Sequence, residues 1–517
     1  MSIFQLCGDN MEGLLTAFAF TLHPAALALM LVGVSAGVFV GAIPGLTGTM
    51  LIALCLPLTF FMTPEMAIVL LISIYIGAIS GGLITATLLK MPGTEAAIMT
   101  TLDGYPMARA GKPGRALGLG IGSSFIGGLI SWIALVVLTK PLSVWATKFT
   151  AFNYFALIVM ALVLIAIITE GSFLKGIAAA LIGALLAMPG IDPSSGTPRL
   201  TFGLVELNGG IDPVPMFIGL FALGTVFSDI LLGSTKSNSS IEASRKGILM
   251  GLRDYRQHGL NLLRSSVIGT WIGLLPGVGA VIGSMVAYSA AKGVSKTPER
   301  FGTGCEEGIV ASESANNATI GGAMIPLIAL GLPGSLNNVL LLAALLIHSV
   351  QPGPLLFVNN AEIVYILMAA FFVSNVLMYL VMILSVRWVS KISEIPQFLL
   401  FPLIIVFCLI GGFAYGNSVA DVWVLLGFAV LGFVLDLGKF PKGPLAISFI
   451  LAPMAEQKLR SGLQLSGGDW SGLWTEPLTL IMLLIALVML FSPFLGSLLP
   501  RVKRHRQGTQ SADPTEE

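Results

Sequence analysis

Long apolar blocks separated by short polar or glycine-rich interruptions run through almost the whole chain. A bilayer core is crossed by about 17–25 predominantly apolar residues. Blocks of that kind occur near 25–43, 48–62, 66–89, 116–139, 152–169, 173–189 and 213–232. After a polar stretch they resume near 265–290, 309–331, 335–350, 362–386, 398–414, 419–437, 443–455 and 475–498. The pattern predicts an all-α polytopic membrane protein. Its organisation is a first transmembrane repeat over 1–232, a basic connector over 233–264, a second repeat over 265–500 and a polar tail over 501–517.

Composition narrows the class. Of 517 residues, 55% are hydrophobic and 10% charged, where a soluble domain carries about 25% charged residues. With 27 Lys and Arg against 26 Asp and Glu, no basic domain exists to bind nucleic acid. The 60 glycines and 28 prolines point to close helix packing and broken helices rather than to disorder. Cys7, Cys55, Cys305 and Cys408 are far apart, and His23, His258, His348 and His505 have no partner at metal-ligand spacing, so no transition-metal site is expected. No basic n-region precedes the first apolar block, so a cleaved signal peptide is not expected.

Basic residues sort the loops, because short cytoplasmic loops collect Lys and Arg. Lys90, Arg109, Lys112 and Arg115 mark 90–115 as cytoplasmic. Lys236, Arg245, Lys246, Arg253, Arg256 and Arg264 do so for the connector, and Arg501, Lys503, Arg504 and Arg506 for the tail. Loops 190–212 and 351–361 are nearly free of positive charge and read as external, which places the N-terminus outside. The block 265–290 has basic loops on both sides. A hairpin entering from the cytoplasm, with Pro276-Gly277 at its tip, removes that conflict. Residues 25–62 have the same form around Pro44-Gly45 and suggest a hairpin from outside, although 25–43 alone is long enough to cross.

The halves also share breaks. Gly37, Gly41, Pro44 and Gly45 match Gly269, Gly273, Pro276 and Gly277; Gly81, Pro92 and Gly93 match Gly322, Pro333 and Gly334. One Pro-Gly break merely ends a helix, but a repeated pair in corresponding positions is the sequence pointer to a transporter site. A broken helix offers free backbone N–H groups to an anion and free carbonyls to a cation. The candidate substrate contacts are therefore Pro44, Gly45, Thr47, Pro92, Gly93, Thr94, Pro276, Gly277, Pro333, Gly334 and Ser335. Asn316 and Asn317 join them from the polar run GIVASESANNATIGG. Thr49, Ser284, Ser314 and Asn337 are candidate ligands for a coupling Na+, the alternative coupling ion being H+. No other cofactor is expected, and no G-x-x-x-x-G-K-[ST] motif indicates ATP. Glu170, Asp229, Asp421 and Asp436 sit near span ends, where solvation explains them. Trp145, Trp388 and Trp423 read as interfacial anchors.

The strings LDGYPMARAGKPGRALG (Leu102 to Gly118), the two GxxxGxxPG elements and ESANNATIGGAMIPLIALGLPGS closely resemble the large membrane subunit of the bacterial tripartite tricarboxylate transporters, over nearly the whole chain to about residue 500. The chain departs from that family at Glu95, Ala96 and Ala97, where small polar residues are usual, and at Ser312, where proline is common. The resemblance implies a multi-pass permease of the bacterial cytoplasmic membrane, working with a small membrane subunit and a periplasmic solute-binding protein. It also implies ion-gradient-driven import of a small di- or tricarboxylate. The residues alone leave two rivals: an anion channel, which calls for a charged or carbonyl-lined ring, and an intramembrane enzyme, which needs a nucleophile–base pair or a metal cluster.

Overall fold

The computed structural model describes residues 3–43, 45–168, 172–192, 195–232, 241, 247–392 and 400–498. Pro44, Glu170, Lys236, Arg245, Lys246 and the tail 501–517 lie outside them. The first half carries α1 (Ile3–Thr21), α2 (Pro24–Gly41), α3 (Gly48–Thr59), α4 (Pro64–Leu88), a 3-10 turn (Glu95–Ala97), α5 (Ile98–Arg109), α6 (Pro113–Ala146), α7 (Ala151–Ile168), α8 (Phe173–Leu186) and α9 (Pro213–Leu232). The second half carries α10 (Leu252–Leu274), α11 (Gly279–Val294), α12 (Glu306–Leu330), α13 (Leu336–Ile347), α14 (Ala361–Ile392), α15 (Phe401–Gly416), α16 (Val419–Leu437), α17 (Lys442–Leu465) and α18 (Pro477–Leu498). Gly190–Ile191 pairs antiparallel with Pro198–Arg199 in a two-stranded hairpin between α8 and α9.

Among the described residues every anticipated apolar block is largely helical, with three differences. Helix α1 was not expected, because Asp9, Asn10 and Glu12 dilute its hydropathy. The loop 90–115 contains the polar helix α5. The connector ends early, since α10 begins at Leu252: it turns Arg253 and Arg256 outward while burying His258, Leu262 and Ser265.

Glycine spacing sets the central packing. Gly37 meets the carbonyl of Ile74 and Gly41 that of Ala78, while Gly77 meets Val34 and Gly81 meets Val38. The partners advance together along both helices, so α2 and α4 run parallel. The intervening α3 must therefore run back, and α2–α3 forms a hairpin. The second half repeats this register: Gly269 meets Ala315, Gly273 meets Thr319, and Gly322 meets Thr270. Helices α10 and α12 are thus parallel, with α11 returning between them, so the chain turns back on itself at both Pro-Gly segments. Small residues let the two backbones approach where a larger side chain would hold them apart.

Gly93 and Gly334 complete the correspondence. A Cβ on Gly93 would lie 2.1 Å from the carbonyl of Gly41 and 2.9 Å from Gly82; one on Gly334 would lie 2.9 Å from the carbonyl of Gly273 and from Ala323. Gly93→Ala will therefore be lost from the membrane as folded protein. Gly293→Ala, which meets nothing within 4 Å, will accumulate normally. Size-exclusion profiles of fluorescently tagged variants check both.

Helices α4 and α12 are buried almost throughout and form the centre. The outer helices expose Leu403, Phe407, Val430, Val434, Leu484 and Val488, an apolar surface suited to lipid. Trp145, Trp388 and Trp423 are exposed near their helix ends, as anticipated. Among the described residues, seven helices are long and apolar enough to cross a membrane.

Candidate functional site

Each Pro-Gly break restarts a helix, and the restarts converge on α4 and α12. Thr47 begins α3, its Oγ1 accepting from Met50 N at 3.1 Å. Ser335 does the same for α13, accepting from Asn338 N at 3.4 Å. Gly45 and Gly277, at matching positions, adopt φ of 86° and 74°, a region glycine enters without strain. Gly277 N donates to Gly334 O at 3.1 Å, so both breaks of the second half touch. The 3-10 turn after Thr94 packs against α4, α11 and α12, and α13 packs against α3 and α4. The second break of each half thus abuts the returning hairpin arm of the other.

Three side-chain pairs stitch the halves together there. Thr49 Oγ1 donates to Asn337 Oδ1 at 2.7 Å, Ser80 Oγ donates to Asn317 Oδ1 at 2.9 Å, and Tyr75 OH shares a 2.9 Å hydrogen bond with Ser335 Oγ. Around them is a concentration of unspent polar groups. Both polar atoms of the Asn316 amide, Asn317 Nδ2, Asn338 Oδ1, Thr94 Oγ1 and Ser284 Oγ are buried without a hydrogen-bond partner. Buried polar groups are almost always bonded, and here five residues on mutually packed elements carry one that is not.

The predicted residues divide accordingly. Thr47, Thr49, Thr94, Asn316, Asn317, Ser335 and Asn337 lie on the elements that meet between the halves, and Ser284 is buried on α11, which packs against α12 and the 3-10 turn. Gly93, Pro333 and Gly334 are buried, and the two glycines act by close approach; Gly45 and Pro92 are exposed, and Pro276 and Gly277 half-buried. Pro44 lies outside the described residues. Ser314 turns away: its Oγ donates to Val310 O at 2.7 Å and its carbonyl faces Gly127 on α6. Sequence reading missed Tyr75 and Ser80. The available signal was Ser73, Ser80 and Thr87 at seven-residue intervals on a strongly apolar helix.

The Leu102–Gly118 string holds the opposite side of this arrangement. Asp103 is fully buried; its Oδ1 accepts from Gly302 N, Gly304 N and Cys305 N at 2.9, 2.9 and 2.7 Å, and its Oδ2 from Tyr288 OH at 2.7 Å. Arg115 binds both oxygens of Asp254 at 2.7 and 2.9 Å and both of Glu306 at 2.9 and 3.0 Å. His258 Nε2 lies 3.2 Å from Glu306. The string therefore fastens α5 and α6 of the first half to the starts of α10 and α12 in the second.

At the other end of the bundle, a cavity of about 790 Å³ reaches from Gln351 and Lys458 inward to Leu330 and Leu342. Lys458 Nζ sits 5.2 Å from the Tyr154 ring centre. Beside it, the loop hairpin is pinned to α17: Arg199 binds Glu456 at 2.7 Å and Arg460 binds Asp192 at 2.8 Å.

Fold and site together define a multi-pass membrane protein in which two broken-helix halves enclose a polar centre. The chain belongs to the tripartite tricarboxylate transporter TctA family, whose model matches residues 27–447. It is 33% identical over 499 residues to an uncharacterized 52.8 kDa protein of the TAR-I ttuC' 3' region of Agrobacterium vitis, covering 96% of this chain and 98% of that one. It is 32% identical over 230 residues to a protein of the TAR-II ttuC' 3' region of the same organism, covering 44% of this chain and 95% of that one. No solved structure matches. The resemblance seen in the motifs is thus a family membership, and the chain is a tricarboxylate transporter subunit of a tripartite system.

Proposed function

We propose that this chain is the permease of a secondary active uptake system of the bacterial inner membrane. It takes a small di- or tricarboxylate from a periplasmic binding protein and works beside a small membrane subunit, driven by a sodium or proton gradient. The observation that carries the reading is the set of unspent donors at Thr94, Asn316 and Asn317, on elements linked to the first turn of α13 through Tyr75–Ser335 and Asn338–Ala323. Amide N–H groups and a helix N-terminus are what a carboxylate requires in a water-poor site. Thr49, Ser284 and Asn337 offer oxygens to a sodium ion.

The halves act as inverted repeats in this mechanism. Helix α4 ends, and α6, α10 and α12 begin, at the end where Asp103 and Arg115 join the halves, so α4 and α12 point in opposite directions. That arrangement suits alternating access around a fixed central site. The 790 Å³ cavity is the substrate's vestibule from outside, with Lys458 supplying the cation that first meets it. The basic end then faces the cytoplasm, as does the C-terminus.

Uptake of a panel of labelled di- and tricarboxylates, in cells expressing the chain with its neighbouring-gene partners, tests the reading. The expected result is saturable accumulation of at least one carboxylate that collapses when the imposed ion gradient is removed. Non-saturating flux, or none from a correctly inserted complex, would sink it.

A further inference from the structure

Ahead of the two asparagines, α12 carries a carboxyl group that the mechanism above leaves unused. Glu313 is fully buried. Its Oε1 contacts Thr100 Oγ1 on α5 at 2.5 Å, and its Oε2 accepts from Ser124 Oγ on α6 at 3.0 Å. The Asn316 amide, one turn on, is directed at the same group without completing a hydrogen bond to it. An isolated ionised carboxylate is very costly to bury, and among the described residues no cation lies against this one.

The charged groups on the surrounding elements are engaged elsewhere or remote. On α5, Asp103 is held by Tyr288 and three amides, and Arg109 is exposed. On α6, Arg115 is bound to Asp254 and Glu306, and Lys140 lies 16 residues beyond Ser124, about 24 Å along the helix. On α10, His258 contacts Glu306, Arg264 contacts Asn261, and Arg253 and Arg256 are exposed. On α11 Lys292 is exposed, as is Glu95 in the 3-10 turn; Tyr75 of α4 is bonded to Ser335, and α13 has no charged residue.

Counting protons shows which form of Glu313 meets all of these contacts at once. Ser312 Oγ lies 3.1 Å from Ile309 O; a carbonyl only accepts, so the single Ser312 proton is spent there. Ser312 Oγ also lies 2.9 Å from Thr100 Oγ1, so the Thr100 proton makes that bond. The remaining contact, Thr100 with Glu313, then takes its proton from the carboxyl. An ionised Glu313 would have to draw the Thr100 proton to itself and break one bond of the chain. A protonated one satisfies Glu313, Thr100, Ser312 and Ile309 in sequence.

We propose that Glu313 is the proton-coupling residue of this carrier, neutral in the present conformation and releasing one proton per transport cycle. The carboxyl binds a proton from one side of the membrane and gives it up to the other, with no electron transferred and no other bond made or broken. Asn316 sits one turn away on the same helix, so a negative Glu313 would repel a substrate carboxylate bound there. Protonation and substrate binding therefore favour each other. The coupling part of this inference rests on the carboxylate-uptake reading; the protonation part does not.

Two measurements test it. Infrared spectra of the purified full chain in lipid nanodiscs at neutral pH will contain a protonated-carboxyl C=O band that is missing in Glu313→Gln. In Thr100→Val, which removes the acceptor for that proton, the same band will move to higher frequency. A spectrum unchanged by both substitutions would overturn the assignment. For the assembled system, Glu313→Gln will lose at least tenfold of the labelled citrate accumulation driven by an imposed pH gradient, and what remains will not vary with external pH. Wild-type accumulation and pH profile in the variant would overturn the coupling role. If the wild-type complex takes up no carboxylate, the uptake reading fails, while the infrared band still decides the state of Glu313.

Discussion

Asp103→Ala will cost the folded protein several kcal/mol, while Asp103→Asn will be tolerated far better. The carboxylate serves four donors at once: the amides of Gly302, Gly304 and Cys305 and the hydroxyl of Tyr288. Removing an acceptor leaves each buried donor with an unmet desolvation cost of about 1–3 kcal/mol. Gly302 and Gly304 have φ of 90° and 102°, so the carboxylate also fixes a loop that has no regular ladder to hold it. Asparagine keeps the oxygen that receives the three amides, and its NH2 can donate to the tyrosine oxygen. Thermal unfolding in detergent, read by intrinsic fluorescence, ranks the three proteins as wild type, Asn, then Ala. An alanine variant melting with the wild type would show that the loop 301–305 holds its shape without Asp103.

That loop also shows where sequence reading stops. Hydropathy was enough to place the apolar helices, because it depends on local composition. The repeat was legible because glycine has a distinctive reason to recur: Gly41 and Gly273 each lie against a backbone carbonyl of the parallel helix. Asp103 could be noticed as part of a string but not given a task. Its partners are backbone amides some 200 positions away, and amides carry no sequence signature. The same holds for Ser80, whose bond to Asn317 crosses between halves. Helix α10 was misplaced at its start for a related reason. Its basic residues lie on one exposed face, which reads as a polar linker until the buried His258 and Leu262 show the other face.

Asn316→Ala will abolish most transport without weakening the fold, and this separates it from its neighbour. Both asparagines are buried, but Asn317 accepts from Ser80, whereas Asn316 makes no hydrogen bond with either polar atom. An unmet buried amide is a stability liability, so removing it will leave the melting temperature equal or slightly higher. Asn317→Ala strands the Ser80 hydroxyl and will lower it. The functional effect runs the other way round. If the Asn316 amide is kept free for a substrate carboxylate, its loss removes a hydrogen bond to a charged group, about 1.5–3 kcal/mol, or roughly ten- to a hundred-fold in transport at low substrate concentration. Initial uptake rates at substrate levels below half-saturation, beside melting curves of the same preparations, give both readings. Equal losses of stability and transport in Asn316→Ala would assign the residue to packing. A stable protein with unimpaired uptake would move the substrate site away from α12 altogether.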